Sequence, residues 1–201
     1  MSENSNSLSS EALLGQRVRA QRNRLGWTLE QASHATSLAR STLSKIENGL
    51  MSPTYDALIK LASGLKIDIS ELFEPAEKTP GSGRRSISRQ GSGQNHHTPY
   101  YDHILLCNDM SKKDMIPFKT RILARSFDDF DEWSQHTGEE FVYVLSGEVE
   151  LFTEYYEPVR LSPGDSWYID SRMGHRVISV SAENAEVLWV STTNPRETQR
   201  I

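Results

Sequence analysis

The sequence predicts a multidomain α + β protein, with an N-terminal bundle of α-helices and a C-terminal all-β domain. Its 201 residues are enough for two domains with separate cores. Apolar residues recur at helical spacing in the first part of the chain. From Tyr100 onward, runs rich in Val, Ile, Tyr, Phe and Trp alternate with Ser-Gly and Pro-Gly turns. Residues 74–83 (EPAEKTPGSG) lie between these parts and hold too much Pro and Gly for regular structure.

Residues 28–49 (TLEQASHATSLARSTLSKIENG) are typical of two short helices joined by a tight turn. Thr28 followed by Gln31 forms a capping-box pattern that starts the first helix, and Asn48-Gly49 ends the second. One face of the second helix is apolar at Leu43 and Ile46. Its opposite face carries Arg40, Ser41, Ser44 and Lys45. A helix with such a face fits the DNA major groove, where Arg and Lys pair with guanine edges. The alternative is a helical bundle whose polar face is simply solvated.

Three further helices are predicted around this unit. The first runs from Glu11 to Leu25 and buries Leu14 and Val18. Another starts after Ser52-Pro53-Thr54, because Pro suits the first turn of a helix. Asp68 and Glu71 form the capping box of a last short helix that ends near Phe73.

The formal net charge of −5 lies entirely in the second part of the chain. Residues 1–75 hold eight Lys or Arg and eight Asp or Glu, so they are neutral overall. Phosphate attraction of this modest size works best when two copies bind together, which favours a homodimer or a higher homo-oligomer. A single cysteine, no apolar run of about 20 residues and no signal-peptide layout favour a cytoplasmic protein without a membrane partner.

In the second part, residues 84–90 (RRSISRQ) form a candidate first strand, and His96 and His97 lie in a polar loop that we expect to be solvated. The later runs predict an antiparallel sandwich or a small barrel, and their spacing leaves both open. His136, Glu140 and His175 are placed so that strand closure can bring them together. Two His and one carboxylate bind a divalent metal and leave coordination positions open. The alternatives are a polar cluster whose hydrogen bonds are satisfied within the protein, or exposed side chains near the mouth of a pocket.

The segment SLARSTLSKIENGLMSPTYDALIKLASGLKIDISELF resembles the helix-turn-helix domain of lambda-repressor/Cro-like (XRE) regulators, over residues 11–74. The resemblance implies a five-helix bundle with its third helix in the major groove. By position, Arg40, Ser41, Ser44 and Lys45 would face bases, whereas Thr28 and Asn48 would meet phosphates. Ser37 stands where the family often has Gly, and Ala39 where it often has a capping Ser or Thr.

Residues 98–193 resemble the cupin family, through HTGEEFVYVLSGEVEL and LSPGDSWYIDSRMGHRV. The resemblance implies a double-stranded β-helix, that is, a jelly-roll barrel with a central cavity. His136, Glu140 and His175 match three of the four metal-ligand positions of the family, and Ser134 stands at the fourth. One divalent ion (Zn, Ni, Mn or Fe) is the cofactor that this set implies.

The joined architecture resembles XRE-cupin transcription regulators, which implies a double-stranded DNA operator and a small-molecule effector as partners. Residues 1–10 and 194–201 are predicted tails, and residues 75–97 a linker with the candidate strand. The candidate effector-pocket residues are Arg121, Tyr143, Trp167, Arg176 and Trp189. Arg121 or Arg176 facing inward would favour an anionic effector.

The alternative function is enzymatic. A helix-turn-helix joined to a cupin with two His and one Glu also resembles hydroxypropylphosphonate epoxidase, a mononuclear non-haem iron enzyme. The polar and basic face at Arg40 and Lys45 favours the regulator, because a purely catalytic protein has no need of it. We therefore expect a chain that is not an enzyme.

Overall fold

The N-terminal part folds into four α-helices followed by a short 3-10 helix. The computed structural model describes residues 10–73, 84–111 and 113–192. It divides into two compact units, Met1–Pro75 and Ala76–Ile201. The helices are α1 (Ser10–Arg24), α2 (Leu29–Thr36), α3 (Arg40–Glu47), α4 (Tyr55–Leu65) and the 3-10 helix Ile69–Leu72. Of the predicted tails, 1–9 and 194–201 lie outside the described residues, as do residues 75–83 of the predicted linker.

Both predicted capping boxes are present. The Thr28 hydroxyl accepts from the backbone N–H of Gln31 at 3.2 Å, and the Gln31 side chain accepts from the Thr28 N–H at 2.9 Å. Asp68 and Glu71 form the second box. It starts the four-residue 3-10 helix rather than a fifth α-helix, so the implied count of five α-helices is not met in the described residues. The segment is too short for more than one turn, and Asp68 tightens it by accepting from both the N–H and the hydroxyl of Ser70.

The turn between α2 and α3 carries both departures from the family pattern. Ser37 adopts the left-handed conformation with φ of 55°, which Gly adopts without steric cost. Ala39 occupies the N-cap of α3 and makes no side-chain capping hydrogen bond. The first turn of α3 therefore lacks the stabilisation that a Ser or Thr cap gives.

The helices pack around a core of fully buried aliphatic side chains. These are Val18, Leu43, Ile46, Leu58, Leu61 and Leu65. Helix α1 crosses α3 so closely that a Cβ on Gly15 would lie 2.3 Å from the Ile46 carbonyl oxygen. This close contact packs one face of α3 against α1, and the opposite face of α3 remains exposed.

The second unit consists of nine described strands in two antiparallel sheets. The strands are β1 (Gln94–His97), β2 (Tyr101–Leu105), β3 (Met115–Ile122), β4 (Glu139–Ser146), β5 (Val149–Thr153), β6 (Tyr156–Leu161), β7 (Ser166–Asp170), β8 (His175–Ser179) and β9 (Glu186–Thr192). One sheet has the order β1-β2-β3-β9-β4-β7 and the other has β6-β5-β8. The sheets pack face to face, and the Tyr101 hydroxyl of one donates to the Val177 carbonyl of the other at 3.1 Å.

The first strand differs from the prediction. Residues 84–89 have no regular structure, and β1 forms instead within the stretch predicted to be a polar loop. His96 is buried opposite His103, with the two rings stacked at 6.1 Å between centroids, so the prediction that it is solvated is wrong. His97 points the other way, is exposed and pairs with Asp102. Successive side chains of a strand point to opposite faces of the sheet, so one of these two neighbours is buried and the other is exposed.

Candidate metal centre and DNA-binding helix

The outward face of α3 is polar and basic. Arg40, Ser41 and Lys45 are exposed, and Ser44 is half-buried beside them. The Arg40 guanidinium lies 3.7 Å from the Glu30 carboxylate, with both side chains exposed. Such a pair is weak in water and readily exchanged for another partner. The face therefore presents donors that suit base edges and phosphates.

Thr28 and Asn48 lie at the two ends of this unit. Thr28 is exposed at the start of α2, where its hydroxyl caps the helix. The Asn48 amide donates to the Ser44 carbonyl at 2.8 Å and accepts from Arg19 at 2.6 Å. A contact of either residue with a DNA phosphate stays a prediction.

A buried ion pair that sequence reasoning missed ties α3 to α1. Arg22 donates to both carboxylate oxygens of Glu47, at 2.6 and 2.8 Å, and also to the Trp27 carbonyl at 2.9 Å. The Glu47 side chain is 2% exposed. Glu47 follows Leu43 by four residues, so it lies on the buried face of α3, and this spacing was the available signal. Arg22 therefore stabilises the contact between α1 and α3 and is not part of the exposed basic face of α3.

The predicted metal ligands come together inside the β domain. His136 precedes β4, Glu140 is on β4 and His175 begins β8, so the set spans both sheets. The His136 Nε2 atom lies 2.9 Å from Glu140 Oε1, and the His175 Nε2 atom lies 3.4 Å from Glu140 Oε2. All three candidate ligand atoms lie within 4.8 Å of one another, and all three residues are buried.

Backbone contacts orient both imidazoles. The Nδ1 atom of His136 lies 3.1 Å from the Thr137 carbonyl oxygen, and that of His175 lies 2.8 Å from the Met173 carbonyl oxygen. A carbonyl oxygen accepts a hydrogen bond, so Nδ1 of each ring carries a proton in this arrangement, and a metal would be bound through Nε2 once that nitrogen carries no proton. Hydrogen bonding of this kind is usual for metal-ligating His.

This arrangement fits a cation. The Ser191 hydroxyl donates to Glu140 Oε1 at 3.0 Å, but Glu140 Oε2 has no hydrogen-bond partner in the described part of the chain. Burial raises the pKa of the Glu140 carboxyl, and the His136 hydrogen bond and the charge of His175 outweigh it, so the pKa lies below its ordinary value. Burial lowers the pKa of His175, so this imidazole gives up its proton more readily, and metal binding requires that loss.

Ser134 stands at the fourth metal-ligand position of the family, and its contact with His175 is made by the backbone. Its backbone forms an antiparallel bridge with His175, through N–H to carbonyl contacts of 3.1 and 3.3 Å. Ser134 therefore positions His175 through the main chain. Two imidazoles and one carboxylate remain as the donor set, which leaves coordination positions for a further ligand.

A cleft of about 640 Å³ lies beside β6 and β7, which are the edge strands of the two sheets. Its lining includes Leu151, Thr153, Trp167, Ile169 and Met173. In the strand register, Ile169 is opposite Glu140 and Thr153 is opposite His175. Two lining residues of the cleft are therefore direct cross-strand neighbours of candidate ligands.

The predicted effector-pocket residues separate into three groups. Trp167 and Trp189 are buried in the barrel interior, and neither indole N–H has a hydrogen-bond partner among the described residues. Arg121 pairs with Asp102 and Tyr143 is exposed, both on the outer face of the sheet, so neither lines the interior. Arg176 donates to the Glu132 carbonyl and lies over the Phe130 ring, on the side of β8 away from the metal ligands. Strand alternation places all three outside, since their neighbours Thr120, Val142 and His175 point inward.

Family comparisons agree with this two-domain architecture. Residues 18–72 match the helix-turn-helix family model, and residues 128–191 match the cupin domain model. The chain thus combines an XRE-type helix-turn-helix domain with a C-terminal cupin domain, as the sequence predicts. No helix in the described ranges combines the length and the apolarity needed to cross a bilayer.

Two curated bacterial proteins are similar to part of the chain. The HTH-type transcriptional regulator SutR of Escherichia coli (strain K12) is 33% identical over 61 residues, which is 30% of this chain and 34% of SutR. The HTH-type transcriptional regulator SlrR of Bacillus subtilis (strain 168) is 32% identical over 63 residues, which is 31% of this chain and 41% of SlrR. The chain therefore spans well under half the length of these curated relatives.

Two solved structures share the fold over most of the chain. A helix-turn-helix family transcriptional regulator from Vibrio cholerae superposes with a TM-score of 0.67 at 21% identity, covering 93% of this chain and 98% of that one. Hydroxypropylphosphonic acid epoxidase from S. wedmorenis superposes with a TM-score of 0.50 at 20% identity, covering 92% and 100%. One architecture therefore serves a regulator and an enzyme, and at these identities the likeness concerns the fold alone.

Proposed function

We propose that the protein is a cytoplasmic, sequence-specific DNA-binding transcriptional regulator that acts as a dimer and senses a small molecule through its cupin domain. The observation that carries the proposal is the exposed polar face of α3, where Arg40, Ser41 and Lys45 point away from the bundle. The buried pair between Arg22 and Glu47 holds that face in a fixed orientation. The helix-turn-helix match and the two regulator relatives support the same function.

In this function, α3 enters the major groove with its first turns against the base edges. Arg40 and Lys45 pair with guanine, and Ser41 and Ser44 donate to or accept from neighbouring bases. Thr28 and Asn48 contact phosphates on either side and fix the register of the helix. Two such helices in a dimer read half-sites about 34 Å apart, or a multiple of that distance.

The cupin domain supplies the sensing function. His136, Glu140 and His175 would hold one divalent ion (Zn, Ni, Mn or Fe), whose charge would favour an electron-rich group of the effector. The effector enters by the cleft at Leu151 and Trp167. The buried indole N–H groups of Trp167 and Trp189 are donors suited to orient it. We assign no effector contact inside the barrel to Arg121 or Arg176, because both lie on the outward side of their strands.

DNA binding by α3 is tested with alanine variants. We expect Arg40→Ala to weaken binding to a fluorescent operator duplex by about 1–3 kcal/mol, which is a loss of roughly five- to 150-fold in affinity. Arg160→Ala is the matched control, because the Arg160 side chain is as exposed as that of Arg40 but belongs to the cupin domain. Fluorescence anisotropy at fixed salt measures both. Equal affinity of the Arg40 variant and the parent would refute the assignment of α3 as the reading helix.

Metal binding is tested by elemental analysis of protein purified without chelators or a metal-binding tag. We expect one divalent ion per chain in the parent and a loss of that ion in Glu140→Gln. Glu139→Gln is the control, since this neighbouring carboxylate is exposed on the other face of β4. Retention of stoichiometric metal by Glu140→Gln would show that the ion binds elsewhere.

A second candidate function is catalysis at a non-haem iron. The buried His136, Glu140 and His175 set, with an adjoining cleft, is the observation that favours it. Oxygen consumption by the Fe(II)-loaded protein with hydroxypropylphosphonic acid, absent in His175→Ala, would support an enzyme. No oxygen consumption above that of the variant would leave the regulator as the function of the site.

A further inference from the structure

The outer face of the six-stranded sheet is apolar where an exposed sheet face is normally polar. Along β4, Glu140, Val142 and Val144 point into the barrel and are buried. The alternate residues Phe141, Tyr143 and Leu145 point outward and remain 40%, 39% and 44% exposed. In an antiparallel sheet that is solvated on one side, these outward positions are usually polar.

Strand pairing makes these side chains one continuous surface. Phe141 lies directly opposite Tyr168 on β7 and Val190 on β9, and Tyr143 lies opposite Leu188 on β9. Tyr168 is itself 62% exposed. We call this surface the apolar outer face. It consists of Phe141, Tyr143, Leu145, Tyr168, Leu188 and Val190.

The apolar outer face has the composition of the centre of an interface. Its six side chains, on strands about 4.8 Å apart and in rows about 7 Å apart, cover roughly 200 Å² in projection. Three of the six residues are aromatic, and aromatic residues are enriched at the centres of protein interfaces. The bordering residues extend the surface toward the ~800 Å² per partner of a standard interface.

The charges around the face select a neutral, self-complementary partner. Lys119 pairs with Glu186 at 2.6 Å on one side, and Arg172 pairs with Asp170 at 2.5 Å on the other. These two pairs add no net charge to the border, and Glu139 at the start of β4 adds one negative charge there. A nucleic acid or an acidic peptide would instead require an excess of Lys and Arg.

We infer that the apolar outer face is the two-fold interface through which a second copy of this chain pairs with the first. A two-fold contact brings the same patch of both copies together, so Phe141 and its neighbours on each copy meet their equivalents. The inference rests on the proposed function in one respect, because two DNA-reading helices require a dimer. It adds the surface and the residues that form that dimer.

The test uses full-length protein in sedimentation velocity at about 10 μM. We expect a species of twice the 22.8 kDa chain mass for the parent. Phe141→Glu should raise the dissociation constant of the dimer about tenfold or more, because it buries a charge in an apolar contact. Tyr155→Glu is the control, since Tyr155 is 73% exposed in the turn between β5 and β6, outside the face. Circular dichroism confirms that both variants are folded.

A mixing experiment identifies the occupant. Phe141→Glu and Phe141→Lys copies should each be largely monomeric alone and should form a mixed dimer when combined, because opposite charges then meet across the two-fold axis. A monomeric parent, a Phe141→Glu variant as dimeric as Tyr155→Glu, or no recovery on mixing would each overturn the inference. Operator binding is measured separately. A parent protein that is monomeric but still binds DNA would refute the proposed interface and leave the proposed regulator intact. A dimer that binds no DNA would refute the regulator and leave the interface intact.

Discussion

The buried pair between Arg22 and Glu47 predicts how α3, the proposed DNA-reading helix, is held against α1. In Arg22→Met, the Glu47 carboxylate stays inside with its side chain 2% exposed and loses contacts of 2.6 and 2.8 Å. Removing one member of a buried ion pair costs about 3–5 kcal/mol. Arg19 lies 3.4 Å from the same carboxylate and offsets part of the loss, so we expect about 3 kcal/mol. That is a large fraction of the 5–15 kcal/mol that typically stabilises a domain.

Urea denaturation followed by helical circular dichroism measures this loss. The double variant Arg22→Met with Glu47→Leu should recover most of the stability, because an apolar pair of similar volume carries no desolvation penalty. Arg40→Ala serves as the control. Its pair with Glu30 is exposed at 3.7 Å and contributes at most about 1 kcal/mol. A loss below about 1 kcal/mol in Arg22→Met, or no recovery in the double variant, would refute the reasoning.

Three further predictions concern a cap, a metal-site contact and a buried imidazole. Ala39→Ser should stabilise the helical domain by about 1 kcal/mol in the same denaturation assay, because it supplies the missing cap of α3; an unchanged midpoint would contradict this. Ser191→Ala should lower the affinity for Co²⁺, titrated by visible absorption, about ten- to 100-fold, because it removes the 3.0 Å hydrogen bond to Glu140; undiminished affinity would count against the site. Burial and the neighbouring His96 lower the pKa of His103 to about 3. The unfolded chain therefore binds a proton below about pH 6.5, whereas the folded chain does not bind it until about pH 3. The free energy of unfolding should decrease as the pH is lowered through this window, by up to about 1.4 kcal/mol per pH unit. His103→Gln should flatten this slope in unfolding experiments on the β domain, and an equal slope would contradict the assignment.

Local rules were sufficient for the helical domain. The capping box at Thr28 and the apolar spacing of Leu43 and Ile46 depend only on near neighbours in sequence, and the structure contains both. The ion pair of Glu47 joins residues 25 positions apart. The spacing along α3 places Glu47 on the buried face, but nothing in the sequence identifies Arg22 as the partner of its carboxylate.

The β domain shows what alternation leaves undetermined. The sequence brings His136, Glu140 and His175 together through two family motifs, and the structure confirms that they converge. On β4 both faces are apolar, so periodicity does not reveal that Tyr143 points outward. Strand β1 (QNHH) has little intrinsic β propensity and is ordered by pairing with β2, which is a tertiary contact that composition does not show.

Selection of bound duplexes from a random DNA pool, followed by sequencing, tests the central claim that α3 reads DNA as one half of a dimer. We expect enrichment of a two-fold symmetric motif whose half-sites are about 34 Å apart, or a multiple of that distance. We expect no such enrichment with Arg40→Ala. A pool that stays unenriched, or the same motif selected by Arg40→Ala, would contradict it.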